Sequence, residues 1–301
     1  MSGNGRRLGV IGTGNIGGAI AANLLADGHA VVVHDLDPAR CRPLEKAGAT
    51  LADSPAAVAE RSEITLTSLP SPAVMDAVAQ AWLGGAARDA VLVDLSTNAP
   101  TMVRSVGARL ASAGRHLLEA PLTGGAVGAQ ARMLVFMVGG ERSVYDRCLP
   151  VLQRLGRAVF HVGPLGLGNT AKLVNSLLAF TATWVSLEGL AVAAKSGMNL
   201  RTMIEVIRTG GAGNFFTDRM VEGINERGRP TQFALALAAK DAGLLLEVAR
   251  EAGVPVPVAA EVAQSLVAAV GAGLGARDFT DIVELIERQA GVTLRLPPAS
   301  T

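Results

Sequence analysis

Residues 8 to 26 constrain the fold more than any other part of the chain. Leu8-Gly9-Val10-Ile11 is a short apolar run, and Gly12-Thr13-Gly14-Asn15-Ile16-Gly17 comes directly after it, before apolar residues at helical spacing towards Ala26. A strand that turns into a helix through glycines at this spacing opens a wound α/β sheet: the first glycine permits the tight turn, the second lets backbone approach a pyrophosphate, and the third lets helix and strand close together. The phosphates would sit on the helix N-terminus, where free N–H groups and the helix dipole favour negative charge. Gly12, Thr13, Gly14, Asn15, Ile16 and Gly17 are therefore expected to cradle a dinucleotide.

Up to about Gly163 short β-rich runs alternate with helical stretches, the rhythm of a parallel sheet covered by helices. The expected strands are Arg7–Ile11, Ala30–His34, Glu63–Leu69, Ala90–Leu95, His116–Ala120, Met133–Val138 and Ala158–His161. From Asn169 to Lys195 the pattern is one long helix, and the remainder of the chain is helical, punctuated at Gly210-Gly211-Ala212-Gly213 and at Arg227-Gly228-Arg229-Pro230. With 301 residues, two domains each have room for a core. The expectation is an α/β Rossmann-like N-terminal domain (1–163), a long helix (164–196) and an all-α C-terminal domain for substrate and oligomerisation (197–301), with the site in the cleft between domains. Pro297 to Thr301 read as a loose tail.

Composition narrows the partners. A formal net charge of +1 gives no field for nucleic acid or an anionic membrane, so a small molecule is expected. Cys41 and Cys148 are the two cysteines and are too far apart in sequence to suggest a disulfide framework or a metal-ligand spacing. The stretch Leu173 to Ala194 is apolar, but Asn175, Ser176, Thr181, Thr183, Ser186 and Glu188 interrupt it, which predicts a helix buried in protein rather than in lipid. Gly12 to Asn15 break up any signal-like apolar run near the N-terminus, and a cytoplasmic protein is expected.

Asp35 closes the second expected strand about 20 residues after the glycines, where a carboxylate accepts hydrogen bonds from the adenosine ribose and repels a 2′-phosphate. Leu36 supplies no cation. NAD is expected ahead of NADP, with Arg40 as the residue that could reach a phosphate. Three further groups carry chemistry. Asp94-Leu95-Ser96-Thr97 lies at a strand end before Pro100, where open α/β sheets bind ligands. Glu119-Ala120-Pro121-Leu122-Thr123-Gly124-Gly125 offers a hydroxyl and two glycine N–H groups to a carboxylate. In Gly166-Leu167-Gly168-Asn169-Thr170-Ala171-Lys172-Leu173-Val174-Asn175, Lys172 and Asn175 are three apart on the long helix and share a face.

Together these motifs resemble the β-hydroxyacid dehydrogenase family, which includes 3-hydroxyisobutyrate dehydrogenase and tartronate semialdehyde reductase. The likeness extends to Ser68-Leu69-Pro70-Ser71-Pro72-Ala73-Val74 and to Phe233-Ala234-Leu235-Ala236-Leu237-Ala238-Ala239-Lys240-Asp241. The resemblance implies that Leu69, Pro70, Val74, Thr97 and Lys240 touch the dinucleotide. It also implies that Thr123, Gly124, Gly125 and Asn175 hold the substrate, that Lys172 is catalytic, and that the chain forms a homodimer or homotetramer. Thr123 stands where the family usually has Ser, and Ser176 where it often has Asn; both bear on which substrate fits. The segment Asn214 to Met220, with Phe215 and Phe216, is the expected wall that selects the side chain.

Reducing a carbonyl by hydride requires a proton on its oxygen, and a lysine can supply it when burial or a neighbouring cation lowers its pKa. Lys172, on a mostly apolar helix, is expected to protonate that oxygen during reduction and to remove the hydroxyl proton during oxidation. The four lysines of this arginine-rich chain include two on motif positions, Lys172 and Lys240. The competing readings are an imine reductase on the same scaffold and a non-catalytic nucleotide-binding module.

Overall fold

The computed structural model describes residues 6–297, so the end of the expected tail, from residue 298 on, lies outside the described residues. The chain forms two compact units, Met1–Lys172 and Leu173–Thr301.

The first unit contains β1 (Arg7–Ile11), α1 (Asn15–Ala26), β2 (Ala30–His34), α2 (Pro38–Lys46), β3 (Thr50–Leu51), α3 (Pro55–Glu60), β4 (Ile64–Thr67), α4 (Pro72–Leu83), β5 (Val91–Asp94), α5 (Pro100–Ser112), β6 (His116–Glu119), β7 (Leu122–Thr123), α6 (Gly125–Gln130), β8 (Leu134–Gly139), α7 (Arg142–Leu155) and β9 (Gly156–Gly163). The strands make one sheet in the order β3-β2-β1-β4-β5-β6-β8-β7, with β9 paired to β8. From β3 to β6 every pairing is parallel. Chain order therefore reverses beside β1, and that switch opens a crevice beyond the strands' C-terminal ends.

Alternation along these strands builds two cores. Val31, Val33, Val91, Val93 and Leu118 face one layer with Leu8, Ile20 and Leu24, while Val32, Leu92 and Leu117 face the other with Met75, Trp82 and Leu110. A period of two with apolar residues on both sides is what a parallel sheet buried on both faces requires.

The sheet departs from the sequence expectation in its direction, its shortest strands and its strand ends. The all-parallel pattern stops at β6, because β8 runs antiparallel to β6 and to β7. Strands β3 and β7, two residues each, are too short for alternation to register. The expected strand Glu63–Leu69 shortens to Ile64–Thr67: Pro70 has no N–H and restricts the residue before it, so the ladder ends early.

Helix α8 (Leu167–Lys195) starts two residues before the expected Asn169 and crosses the boundary between the units. It is long and apolar enough to span a membrane by length and composition, as is Pro257–Leu274. The second unit adds α9 (Leu200–Thr209), α10 (Leu235–Glu251), α11 (Pro257–Ala269) and α12 (Val283–Ala290), with short 3-10 and π turns between them. Its core joins Phe180, Trp184, Leu187 and Leu190 of α8 to Leu235, Leu266 and Ile282. Phe180, Phe233 and Phe279 form a ring cluster with centroids 5.1 to 6.3 Å apart. Asp278, 2% exposed, ties the segment before α10 in place. It accepts bonds from Arg229 (Nη2, 2.7 Å), the Gln232 amide (2.9 Å) and the Thr280 hydroxyl (2.7 Å).

Candidate active site

The parallel register aligns the strand ends: Ile11 pairs with Thr67, Thr67 with Asp94, and Asp94 with Glu119. The glycine turn after β1, the Leu69-Pro70 loop after β4, the Ser96-Thr97 loop after β5 and the turn after β6 therefore leave the sheet along one edge.

The glycine loop has the geometry of a phosphate cradle. At Gly12, φ is +84° and a Cβ would lie 2.3 Å from the Ser68 carbonyl oxygen; at Gly17 it would lie 1.9 Å from the Gly12 oxygen. Neither position admits a side chain. A Cβ on Gly14 would meet only the Arg40 guanidinium, at an ordinary contact distance of 3.5 Å to Nη1. It is the N-cap of α1, no side chain caps that end, and no acidic residue occupies the first turn. A helix start with no side-chain cap and no acidic residue in its first turn suits an anion, so these residues fit a dinucleotide pyrophosphate. Thr13 is buried, Asn15 exposed and Ile16 half-buried.

Asp35 sits one residue past β2 and closes on the same loop. Its Oδ2 accepts the Thr13 amide (2.7 Å) and hydroxyl (3.3 Å), and its Oδ1 accepts the Asp37 amide (2.9 Å). Leu36 is 91% exposed. The carboxylate thus lies beside the glycine loop, within the reach expected of a ribose ligand.

The next two loops are hydrogen-bonded together: Leu69 N donates to Ser96 Oγ at 2.9 Å. Pro70 is exposed, while Val74, on the first turn of α4, is half-buried. Thr97 is half-buried between two buried neighbours, Ser96 and Asn98. Asp94 accepts from Thr67 Oγ1 (2.9 Å), Ser96 N (3.1 Å) and Asn98 Nδ2 (2.7 Å). Burial pushes the Asp94 carboxyl above its ordinary value against the pull of these bonds.

Thr123 ends β7 opposite Val135, and Gly124 and Gly125 come next with φ of +123° and +63°, a conformation that favours glycine. Thr123 and Gly125 are half-buried and Gly124 is exposed, so the turn is accessible. Lys172 is half-buried on α8, and Asn175, one turn on, is exposed.

In the second unit, Lys240 lies on α10 with Nζ 3.0 Å from Oδ1 of buried Asp241. In the segment expected to select the substrate, Phe216 belongs to the core while Phe215 is 47% exposed. Burial therefore removes Phe216 as a wall residue.

Three residues given no individual role by the sequence, Asn98, Asn169 and Glu119, bind this edge together. Asn98 N donates to Asn169 Oδ1 at 2.7 Å, and Asn169 Nδ2 donates to Glu119 Oε2 at 2.5 Å. The available signal was an acid closing an otherwise apolar strand, in Val91-Leu92-Val93-Asp94 and His116-Leu117-Leu118-Glu119. A carboxylate there is buried and needs donors.

Comparison with known proteins identifies the family and the fold. The family model for the NAD-binding domain of 6-phosphogluconate dehydrogenase matches residues 7–163, and that for the NAD-binding domain of NADP-dependent 3-hydroxyisobutyrate dehydrogenase matches residues 166–286. The chain is 35% identical to 3-hydroxyisobutyrate dehydrogenase of Pseudomonas aeruginosa over 91% of its length and 96% of that protein's. It is 32% identical to 2-(hydroxymethyl)glutarate dehydrogenase of Eubacterium barkeri over 96% and 97%. The solved 3-hydroxyisobutyrate dehydrogenase of Mycobacterium tuberculosis with L-serine superposes with a TM-score of 0.86, at 27% identity, covering 94% of this chain and 99% of that one. The chain belongs to the β-hydroxyacid dehydrogenase family of NAD(P)-dependent oxidoreductases.

Proposed function

We propose that the protein oxidises a small β-hydroxy acid of the 3-hydroxyisobutyrate type to its semialdehyde, or runs the reverse reduction, with Lys172 as acid/base and NAD ahead of NADP. When bound, the nicotinamide supplies or accepts the hydride. The observation that carries the reading is the first turn of α8: its Asn169 is hydrogen-bonded to the backbone beside Thr97, and Lys172 comes one turn later. That puts the amine's helix on the strand-end edge where the glycine loop opens.

In oxidation the Lys172 amine takes the proton of the substrate hydroxyl; in reduction it returns a proton to the carbonyl oxygen. Thr123 Oγ1 with the Gly124 and Gly125 N–H groups binds the substrate carboxylate, and Asn175 orients the hydroxyl. Gly12 to Gly17 hold the pyrophosphate, Asp35 the adenosine ribose, and Leu69, Pro70, Val74, Thr97 and Lys240 flank the dinucleotide. The methyl group of Thr123 narrows the space beside the carboxylate and favours a small acid.

The exposed stripe Val174, Leu178, Val185 and Val192 on α8 supports a homodimer or homotetramer, since 45 to 68% exposure of four large apolar side chains on one helix is costly in water. Leu178→Glu should dissociate it in sedimentation.

The enzymatic reading is tested by measuring NADH formation with 3-hydroxyisobutyrate, glycerate, threonate, 3-hydroxybutyrate and 2-(hydroxymethyl)glutarate, beside Lys172→Ala. Loss of general acid/base catalysis should lower kcat by about 10²- to 10⁴-fold while NADH still binds. A variant as active as wild type removes Lys172 from the mechanism. Turnover of a cyclic imine with none of the acids would instead favour the imine reductase, and NADH binding with no turnover at all a binding module.

A further inference from the structure

We infer that Glu119 is a positioning residue: it fixes the first turn of α8, and so the point from which Lys172 is presented, to the same hydrogen-bonded edge that carries Thr97. The inference rests on the assignment of Lys172 as acid/base.

Glu119 closes β6 and has no solvent exposure. Its carboxylate is consumed by the start of α8. Oε1 accepts from the amides of Gly166 and Gly168 (3.0 Å to the latter), and Oε2 accepts from the Asn169 amide (3.0 Å) and from Asn169 Nδ2 (2.5 Å). Free N–H groups at a helix start are ordinarily met by a residue of the same turn. Here the acceptor comes from a strand 47 to 50 residues earlier in the chain.

The backbone is shaped around this contact. A Cβ on Gly139 would lie 2.2 Å from Glu119 Oε1 and 2.9 Å from the Gly168 nitrogen. One on Gly168 would lie 2.7 Å from the Met137 carbonyl oxygen and 2.9 Å from Glu119 Cγ. Side chains at either position would push the helix start off β8 and close the slot that holds the carboxylate.

The bonds then continue away from the helix. Asn169 Oδ1 accepts from Asn98 N (2.7 Å), Asn98 Nδ2 donates to Asp94 Oδ2 (2.7 Å), and Asp94 Oδ1 accepts from Thr67 Oγ1 (2.9 Å). One buried chain thus joins β4, β5, the Thr97 loop, β6 and α8. Asn169 and Lys172 are three residues apart, about 4.5 Å along the helix axis and on one face. A shift of the turn that carries Asn169 moves Lys172 with it.

The test compares wild type, Glu119→Gln, Asn169→Ala and Lys172→Ala, assayed with NAD and the fastest acid among the five named for the enzymatic assay. Glutamine keeps the shape but turns an NH2 towards N–H donors; alanine at 169 cuts the link to Asn98 and leaves the backbone bonds to Glu119, so it serves if Glu119→Gln does not fold. For the folded variants the expected result is a fall in kcat of about 10²-fold, the scale of an ångström-sized misplacement. The KM for NAD and NADH affinity by fluorescence should be unchanged, and the limb of the kcat–pH profile that Lys172→Ala removes should move.

If either variant keeps wild-type kcat and pH profile while Lys172→Ala is inactive, the inference is overturned and the role of Lys172 stands. Equal losses of kcat, nucleotide affinity and thermal stability would mark a merely structural cap and overturn it as well. If Lys172→Ala is fully active, or no acid is oxidised, the underlying assignment fails first, and the inference with it.

Discussion

Each unit of this protein buries carboxylates, and the two hold them by different means. At the strand-end edge of the first, Asp94 and Glu119 accept from hydroxyl, carboxamide and backbone N–H donors. In the second, the Arg229 guanidinium closes on Asp278 at 2.7 Å. Burial raises the pKa of Asp94 and Glu119 despite their bonds. Burial acts in the same direction on Asp278, but Arg229 and the surrounding N–H and O–H groups outweigh it and hold the group down at about 2. Amide and hydroxyl bonds are directional and specify where a helix or loop begins; a charge-assisted pair is stronger. The proposed active edge has been built for geometry, and the helical unit's clasp for strength.

Removing the cation from the clasp should have the largest effect on stability. Arg229→Met strands a buried carboxylate and should cost about 3–5 kcal/mol in equilibrium urea unfolding; a loss no greater than that of Glu119→Gln would erase the contrast between the regions. Asp35→Ala should weaken NAD binding by about 1.5–3 kcal/mol, the scale of a charged hydrogen bond, and narrow the preference over NADP, as read by titration with both nucleotides. Gly17→Ala forces a methyl group against the Gly12 carbonyl oxygen and should cost about 1–3 kcal/mol by overpacking, with loss of NADH fluorescence binding as the second readout.

Acid unfolding sharpens the comparison with a smaller signal. Because the folded-state pKa of Asp278 is depressed, its contribution is complete above the unfolded value of 3.8 and disappears as the pH falls towards about 2. Asp278→Asn should therefore flatten the acid limb of a calorimetric pH series in that window. Glu119 is raised instead: the folded state holds its proton more tightly, so this group favours folding as pH falls below its raised value and loses that contribution as pH rises through it. Glu119→Gln should leave the limb below pH 3.8 unchanged and remove a fall of stability with rising pH above the unfolded value of 4.5. Equal slopes in the two variants would contradict the assignment of opposite shifts.

Much of the first unit was legible in the sequence because its determinants are local. The glycine turn, the short apolar runs of β1, β2, β5 and β6, and the helix between them all depend on neighbours within a few residues. Strands β3 and β7 were missed because two residues carry no period, and the antiparallel turn of the sheet at β8 because pairing direction is a property of distant partners. At the candidate site, the chemistry proposed for Asp35, Thr123 and Lys172 rests on residue type, position and the family resemblance. Nothing in the order of residues tied Glu119 to Asn169 or Asn98 to Asn169, since these bonds join positions 50 and 71 apart. Phe216 shows the converse, a residue whose type suggested a pocket wall and whose burial puts it in the core.

Residue order alone thus determined that this chain begins with a nucleotide-binding strand–turn–helix, changes to helices in its second half, and carries an amine one turn into its longest helix. The tertiary structure decided which strand ends share an edge, how deeply Glu119 and Asp94 are buried, and what holds the start of α8. The reason is physical: turn geometry and amphipathic period are set by a few adjacent residues, whereas the burial of a charge and the donors that satisfy it depend on elements that only folding brings within about three ångströms of one another.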